Sequence, residues 1–403
     1  MIKIVDSIMG SGKSTWAINF INSHPENRYI IVTEYLEEAT RFQSSCPQLN
    51  FCQPDGTYSK MSDFMQLMHE GRNMAITHKL FTNLKVNEAV RRIIADYGYF
   101  LIIDETINVI ESVKIEPSDI QMLIRDNHMH VKENGFVQWT DKGYSGVFDK
   151  LRVKAESETL ILIDNTMLAW LFSDKTMRAF EQVFVLTYNF KGSEMRSFLE
   201  IYQMPYEIYH IENNDLVPGE QDLTEVKAKL SQLINIYSGT MNKIGDARGS
   251  LSSSWYKKNQ HSKIALLNSA RNFFEYVCRC NAGDALWTCF SEVLKPSKQK
   301  KEFTVRHYAS SFESCNARAT NKWRDRHCLA YLIDVYPNPI IARWFKRHGS
   351  CIDSDEYALN QMLQWIWRSA IRVGEEINIY IPSKRMRSLL ETWLQDNRIT
   401  FVA

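Results

Sequence analysis

VDSIMGSGKST, residues Val5 to Thr15, stands directly behind MIKI at the start of a 403-residue chain. Its core, Gly10-Ser11-Gly12-Lys13-Ser14, follows an apolar run and opens a stretch in which Ala17, Phe20 and Ile21 have the spacing of a buried helical face. Strand, glycine-rich turn and helix, in that order, suit a phosphate-binding loop. Successive backbone N–H groups and a helix N-terminus converge on one place, Lys13 reaches the β and γ phosphates, and the Ser14 hydroxyl ligates Mg²⁺. Gly10, Ser11, Gly12, Lys13, Ser14 and Thr15 are therefore the candidate nucleotide-binding residues, with ATP and Mg²⁺ as the expected cofactors. The pattern asks for glycine where Ser7 stands, but Gly10 and Gly12 keep the tight backbone approach. An ordinary strand-to-helix turn is the competing reading.

The rest of the chain suits a soluble protein of two or three domains, with 44% apolar and 12% aromatic residues to fill their cores. Lys and Arg total 48 against 47 for Asp and Glu, so any nucleic-acid surface is a local patch and not a global charge. The eight cysteines show no zinc spacing and fit reduced thiols in the cytoplasm. No leader and no apolar run long enough to span a bilayer is evident, so neither secretion nor a membrane partner is expected.

Short apolar runs, IKIV, YIIVT, NMAIT, YFLIID, TLILID and VFVLT, alternate with helical patterns to about residue 212. Buried strands separated by helices predict a parallel sheet covered on both faces, an α/β domain over 1–212. Residues 213–261 change to a long amphipathic helix, LTEVKAKLSQLINIY, and a polar, serine-rich stretch, which reads as a connector. A second α/β alternation follows over 262–403: helix KIALLNSARNFFEYVC, strands ALWTCF and TVRHYA, helices RHCLAYLIDVY and EYALNQMLQWIWRSAI, strand INIYI and helix SKRMRSLLETWL.

A motor also needs a carboxylate at a neighbouring strand end, and YFLIIDET supplies Asp104 with Glu105 beside it. Asp104 would hold Mg²⁺ through water, and Glu105 would orient and deprotonate the attacking water. Alone, an apolar run ending in Asp-Glu is commonplace; behind a phosphate loop in an α/β domain it carries more weight. Asp164 in TLILID competes for the metal role, but Asn165 and Thr166 after it offer no general base.

In the distal half, QWIWRSAIR predicts one helix with Gln364, Arg368 and Arg372 four residues apart on one face. Arginines aimed at a γ-phosphate would stabilise transition-state charge. The same pattern suits an amphipathic helix with Trp365 and Trp367 partly buried and the arginines in water.

With these segments in place, the chain resembles the superfamily 2 helicases of the DEAD/DExH type over most of its length, in the compact layout of phage-encoded members. SIMGSGKST is similar to motif I, IIDET to motif II, IIVTEYLEEATRF to motif Ia, VFVLTYNFKGSEMRSFLE to motif III, ALWTCF to the motif IV strand, NARATNKWRDRHCLAYLI to motif V and QWIWRSAIR to motif VI. Motif VI departs from the family pattern: Trp367 replaces a glycine and the second arginine falls one residue late, at Arg372. Motif V lacks its usual glycine.

The resemblance implies a P-loop NTPase of two RecA-like domains, 1–212 and 262–403, joined by the connector at 213–261. They would clamp ATP, contacted by Gln364 and by Arg368 and Arg372 as fingers, and ratchet along nucleic acid, DNA sooner than RNA. Thr33, Thr77, His78 and Thr320 would grip backbone phosphates, and the clusters at Lys295, Lys298, Lys300, Lys301 and at Lys384, Arg385, Arg387 would add salt-sensitive contacts. The implied activity is ATP-dependent unwinding or translocation in phage DNA replication, recombination or repair, inside the host cytoplasm and alongside replication proteins. Two other readings stay open: a motor of another kind, such as a packaging ATPase, and a replication-origin adaptor that binds ATP without productive unwinding.

Overall fold

The computed structural model describes residues 1–56, 59–84, 87–258, 260–294, 303–315 and 322–395. The chain forms two compact units, one of Met1–Gln221 together with Asn338–Ile352, the other of Asp222–Pro337 and the chain from Asp353 onward. It is an α/β protein built on parallel sheets, as the alternating pattern predicts.

Among its described residues the first unit holds twelve strands: β1 (Ile2–Asp6), β2 (Arg28–Thr33), β3 (Met74–Thr77), β4 (Tyr99–Asp104), β5 (Ile110–Ser112), β6 (Met129–Val131), β7 (Val137–Trp139), β8 (Leu160–Ile163), β9 (Met167–Leu171), β10 (Gln182–Thr187), β11 (Tyr206–Glu212) and β12 (Asp215–Pro218). Seven form one sheet in the order β12-β11-β1-β10-β4-β2-β3, parallel throughout except for the β11–β12 hairpin. Alternate residues of each strand enter opposite cores: Ile4, Ile30, Val32, Leu101, Ile103 and Val185 on one face, Val5, Ile31, Ile102, Phe184 and Leu186 on the other. Both faces are therefore dry, which explains the near-continuous apolar runs.

TLILID departs from expectation, for β8 pairs antiparallel with β9 outside the main sheet. It belongs to an insertion between β4 and β10 with its own core of Ile120, Leu123, Met129, Val137, Trp139, Leu160, Leu162 and Leu168. The helix Pro339–Arg347, far along the sequence, returns to this unit and buries Ile341, Trp344 and Phe345 in the first of the two main cores.

The second unit has a four-stranded, all-parallel sheet of β13 (Ile234–Ile236), β14 (Ala285–Thr288), β15 (Cys328–Tyr331) and β16 (Ile377–Tyr380), in the order β13-β16-β15-β14. The helix expected through LTEVKAKLSQLINIY stops at Leu233, and Ile234 begins β13. RHCLAYLIDVY, expected as a helix, is the central strand β15, buried over Cys328–Tyr331 because it pairs on both sides. A short apolar run buried all round carries no period to separate the two forms. TVRHYA is not a strand; a turn at Arg306 and His307 leads into a 3₁₀ turn at Ala309–Ser311. No helix among the described residues is long and apolar enough to cross a membrane.

Candidate functional site

The parallel register sets the site. Asp6 pairs with Thr187 and Leu186 with Asp104, so the carboxyl ends of β1, β10 and β4 lie side by side. From Asp6 the chain turns through the loop and enters the helix Lys13–Ser23, with Gly12 as its N-cap. Gly10 and Gly12 adopt φ of 83° and 89°, the left-handed region where a side chain is strained. An added Cβ would meet nothing within 4 Å at Gly10 and only Asn214 Oδ1, at 3.6 Å, at Gly12, so backbone conformation is what asks for glycine.

Lys13 is buried, and its ammonium donates to the carbonyls of Ser7 at 2.6 Å and Ile8 at 3.2 Å, folded back over its own loop. Ser14 Oγ donates to Asp104 Oδ1 at 3.4 Å. Burial first, then the charges of Glu105 and Glu38, push the Asp104 carboxyl up to about 6 against the pull of Lys13. Asp6 is also raised to about 6, chiefly by burial, although its carboxylate accepts the Phe190 amide at 2.9 Å and faces Lys13. Thr187 Oγ1 donates to Glu105 Oε2 at 3.4 Å, which joins the third strand end to the acidic pair. Ser11 Oγ is buried with no hydrogen-bond partner among the described residues.

These features fit a nucleoside triphosphate with a divalent cation. The loop supplies left-handed glycines that no side chain fills, an ammonium resting on the Ser7 and Ile8 carbonyls and an unmatched Ser11 hydroxyl; Ser14 and Asp104 form the oxygen pair suited to a hard cation. Thr15 is exposed in the first turn of the same helix.

Three supports of the loop have no signal in the motif. Ser7 is buried, and its hydroxyl accepts the Ile211 amide of β11 at 2.7 Å, so the serine in place of glycine ties the loop to the sheet. The Ile8 amide donates to Gln221 Oε1 at 2.9 Å. Asn214, in the β11–β12 turn, lies against Gly12. All come from 200 residues downstream, where sequence spacing says nothing about proximity.

The residues expected to grip nucleic acid are bound locally. Thr33 is fully buried with its hydroxyl on the Tyr35 carbonyl at 2.9 Å. Thr77 caps the helix His78–Thr82 by accepting the Leu80 amide. The His78 ring bridges the Asp104 carbonyl at 2.9 Å and the Glu34 carboxylate at 3.0 Å. Thr320 and the cluster Lys295, Lys298, Lys300 and Lys301 lie outside the described residues. Asp164, the competing carboxylate, sits at the β8–β9 turn and bonds Arg343 and Arg347, whose guanidinium groups hold it below its ordinary value, Arg347 most strongly.

In the second unit the arrangement expected for Gln364, Arg368 and Arg372 needs correction. The helix covers Ser354–Ile366 and ends there, because Ser369 Oγ donates to the Ile366 carbonyl and the Ala370 amide turns to the Arg326 carbonyl. Gln364 is on the helix, donating to Asn360 at 3.0 Å; Arg368 follows it, buried, with Nη1 on the Ser314 carbonyl at 3.0 Å; Arg372 is exposed on a separate 3₁₀ turn. The three therefore do not share one helical face. Of the KRMR cluster, Arg385 pairs with Asp334 and Asp355 at 2.8 Å each, and Arg387 donates to the carbonyls of Ile381 and Pro382. Both arginines hold the unit's own structure.

Comparison with known proteins adds the lineage. Residues 110–170 match the YonV middle domain and residues 228–394 the YonV C-terminal Rossmann-like domain. Among solved structures, an XPD helicase aligns over 98% of this chain and 95% of its own at TM-score 0.51 and 10% identity. An apo XPD structure aligns over the same shares at TM-score 0.52 and 12% identity. At such identity the likeness is one of fold. The SPbeta prophage-derived uncharacterized protein YonV of Bacillus subtilis (strain 168) is 35% identical over 98% of this chain and 99% of its own. With that identity sustained along both chains, the protein belongs to the YonV family.

Proposed function

We propose that this protein is an ATP-dependent nucleic-acid motor, a superfamily 2 DNA helicase or translocase. The observation that carries the reading is the convergence of Lys13, Ser14, Asp104, Glu105 and Thr187 at three adjacent ends of one parallel sheet, the place where such sheets bind ligands. The XPD-like fold supports it.

Gly10 to Thr15 would hold the phosphates, with the Lys13 ammonium exchanging the Ser7 and Ile8 carbonyls for phosphate oxygens. Ser14 and Asp104 would hold Mg²⁺, which when bound supplies charge neutralisation to the phosphates. Glu105, tied to Thr187, would orient a water and take its proton. Asp6, whose carboxylate accepts the Phe190 amide, would place negative potential near Lys13 when ionised. Gln364, Arg368 and Arg372 are the second unit's residues proposed to act on the nucleotide. The prophage origin of the relative agrees with a phage role in DNA replication, recombination or repair within the host cytoplasm.

Steady-state ATP hydrolysis with and without single-stranded and forked DNA tests the proposal, with stimulation by DNA expected. A second reading, an ATP-binding adaptor without productive unwinding, is favoured by one observation: Arg368 is buried and committed to the Ser314 carbonyl. ATP binding with hydrolysis that DNA leaves unchanged would support it.

A further inference from the structure

The peptide joining Asp104 to Glu105 is fastened at both ends. Its carbonyl accepts from His78 Nε2 at 2.9 Å, and its N–H donates to the Leu186 carbonyl at 2.8 Å. Glu105 itself has φ of 69°, a left-handed conformation that costs a non-glycine residue about 1–2 kcal/mol. Such a conformation persists when its surroundings over-determine it. The plane of this peptide sets the direction in which Glu105 leaves the strand, so the groups that fix the plane also aim its carboxylate at Thr187 Oγ1.

His78 is held in turn. Its Nδ1 meets Glu34 Oε2 at 3.0 Å, and the ring is nearly enclosed, with 11% of the side chain exposed. A carbonyl only accepts, so Nε2 donates to Asp104, while Nδ1 faces the Glu34 carboxylate and holds the ring in place. Glu34 follows β2, His78 follows β3 and Asp104 ends β4, and β2 pairs with both β3 and β4. The bridge thus runs across three neighbouring strand ends.

We propose that His78 is a positioning residue for Glu105: anchored by Glu34, it clamps the Asp104–Glu105 peptide and so fixes the direction of the general base. This deepens the motor reading and rests on it for its catalytic consequence. It also gives His78 a place in the hydrolytic centre instead of on a nucleic-acid track.

The test measures two things in the full-length protein. Hydrogen exchange at the Glu105 amide, without nucleotide, reports the clamp directly. Steady-state kcat and KM for ATP in the presence of single-stranded DNA report its catalytic use. With His78→Ala, exchange should quicken about tenfold or more, and kcat should fall about tenfold to a hundredfold while KM stays within about twofold. His78→Gln, which keeps one donor for the carbonyl, should recover part of both. In a Glu105→Gln background, His78→Ala should lower kcat no further, because the group it aims is already gone. Glu34→Gln, which leaves the ring in place, should move exchange and kcat in the same direction by less and serves if His78→Ala fails to fold. Unchanged exchange and kcat, or a rise in KM alone, overturns the proposal. If the wild-type protein does not hydrolyse ATP, the motor reading fails while the exchange measurement still decides the clamp.

Discussion

Asp104→Asn should stabilise the nucleotide-free protein at the same time as it removes the proposed metal ligand. Burial and the neighbouring Glu105 and Glu38 raise the Asp104 carboxyl from 3.8 to about 6. That shift corresponds to about 3 kcal/mol of differential interaction between its two protonation states. The folded protein binds this proton more tightly than the unfolded chain does. Charging Asp104 therefore costs stability above the folded value and costs nothing below about pH 4, the cost growing between roughly pH 4 and 6. Asparagine carries no charge at any pH and keeps an oxygen for the Ser14 hydroxyl. Urea unfolding without nucleotide or divalent cation should show Asp104→Asn more stable than wild type by about 1–3 kcal/mol at pH 8, with the difference vanishing near pH 4. Asp6 titrates in the same range in both proteins and drops out of the comparison. A difference independent of pH, or a less stable variant at pH 8, would refute the reasoning. Mg²⁺ with ATP should raise the stability of wild type and leave the variant nearly unmoved.

Lys13→Ala should abolish both ATP turnover and nucleotide-induced thermal stabilisation, as read by phosphate release and melting. Glu105→Gln should still bind ATP but hydrolyse it about 10²- to 10⁴-fold more slowly; an equal loss of binding in a filter assay would make Glu105 structural. Arg368→Ala should spare nucleotide binding, cut hydrolysis and cost about 1 kcal/mol of stability through its Ser314 bond. An unchanged rate would make Arg368 structural. Arg385→Ala would leave Asp334, which is 2% exposed, with the Tyr336 hydroxyl but without its ion partner, and should destabilise by about 3 kcal/mol in denaturant melts.

The loop and its acidic partner were legible because their chemistry is local. Glycines at φ near 85°, a lysine and serine on the following helix and carboxylates closing a buried strand leave their mark within a few residues. Thr187 also ends an apolar run, but what brings it to the site is the register of β10 between β1 and β4. What holds the loop was not legible, since Ile211, Asn214 and Gln221 reach it only through the register of β11 against β1. Nor was the return of Pro339–Arg347 to the first unit, because an amphipathic helix shows that it buries a face without showing against what. The helix break before Arg368 escaped detection because spacing continues smoothly through Trp367, while Ser369 and the Arg326 carbonyl end the helix through side-chain and tertiary bonds. β15 was misread because four buried residues fit either periodicity.

ATP hydrolysis by the purified full-length chain, measured with Mg²⁺ and with or without single-stranded DNA, tests the central claim most directly. A turnover that requires Lys13 and rises several-fold with DNA is the expected result. No hydrolysis under either condition would contradict it.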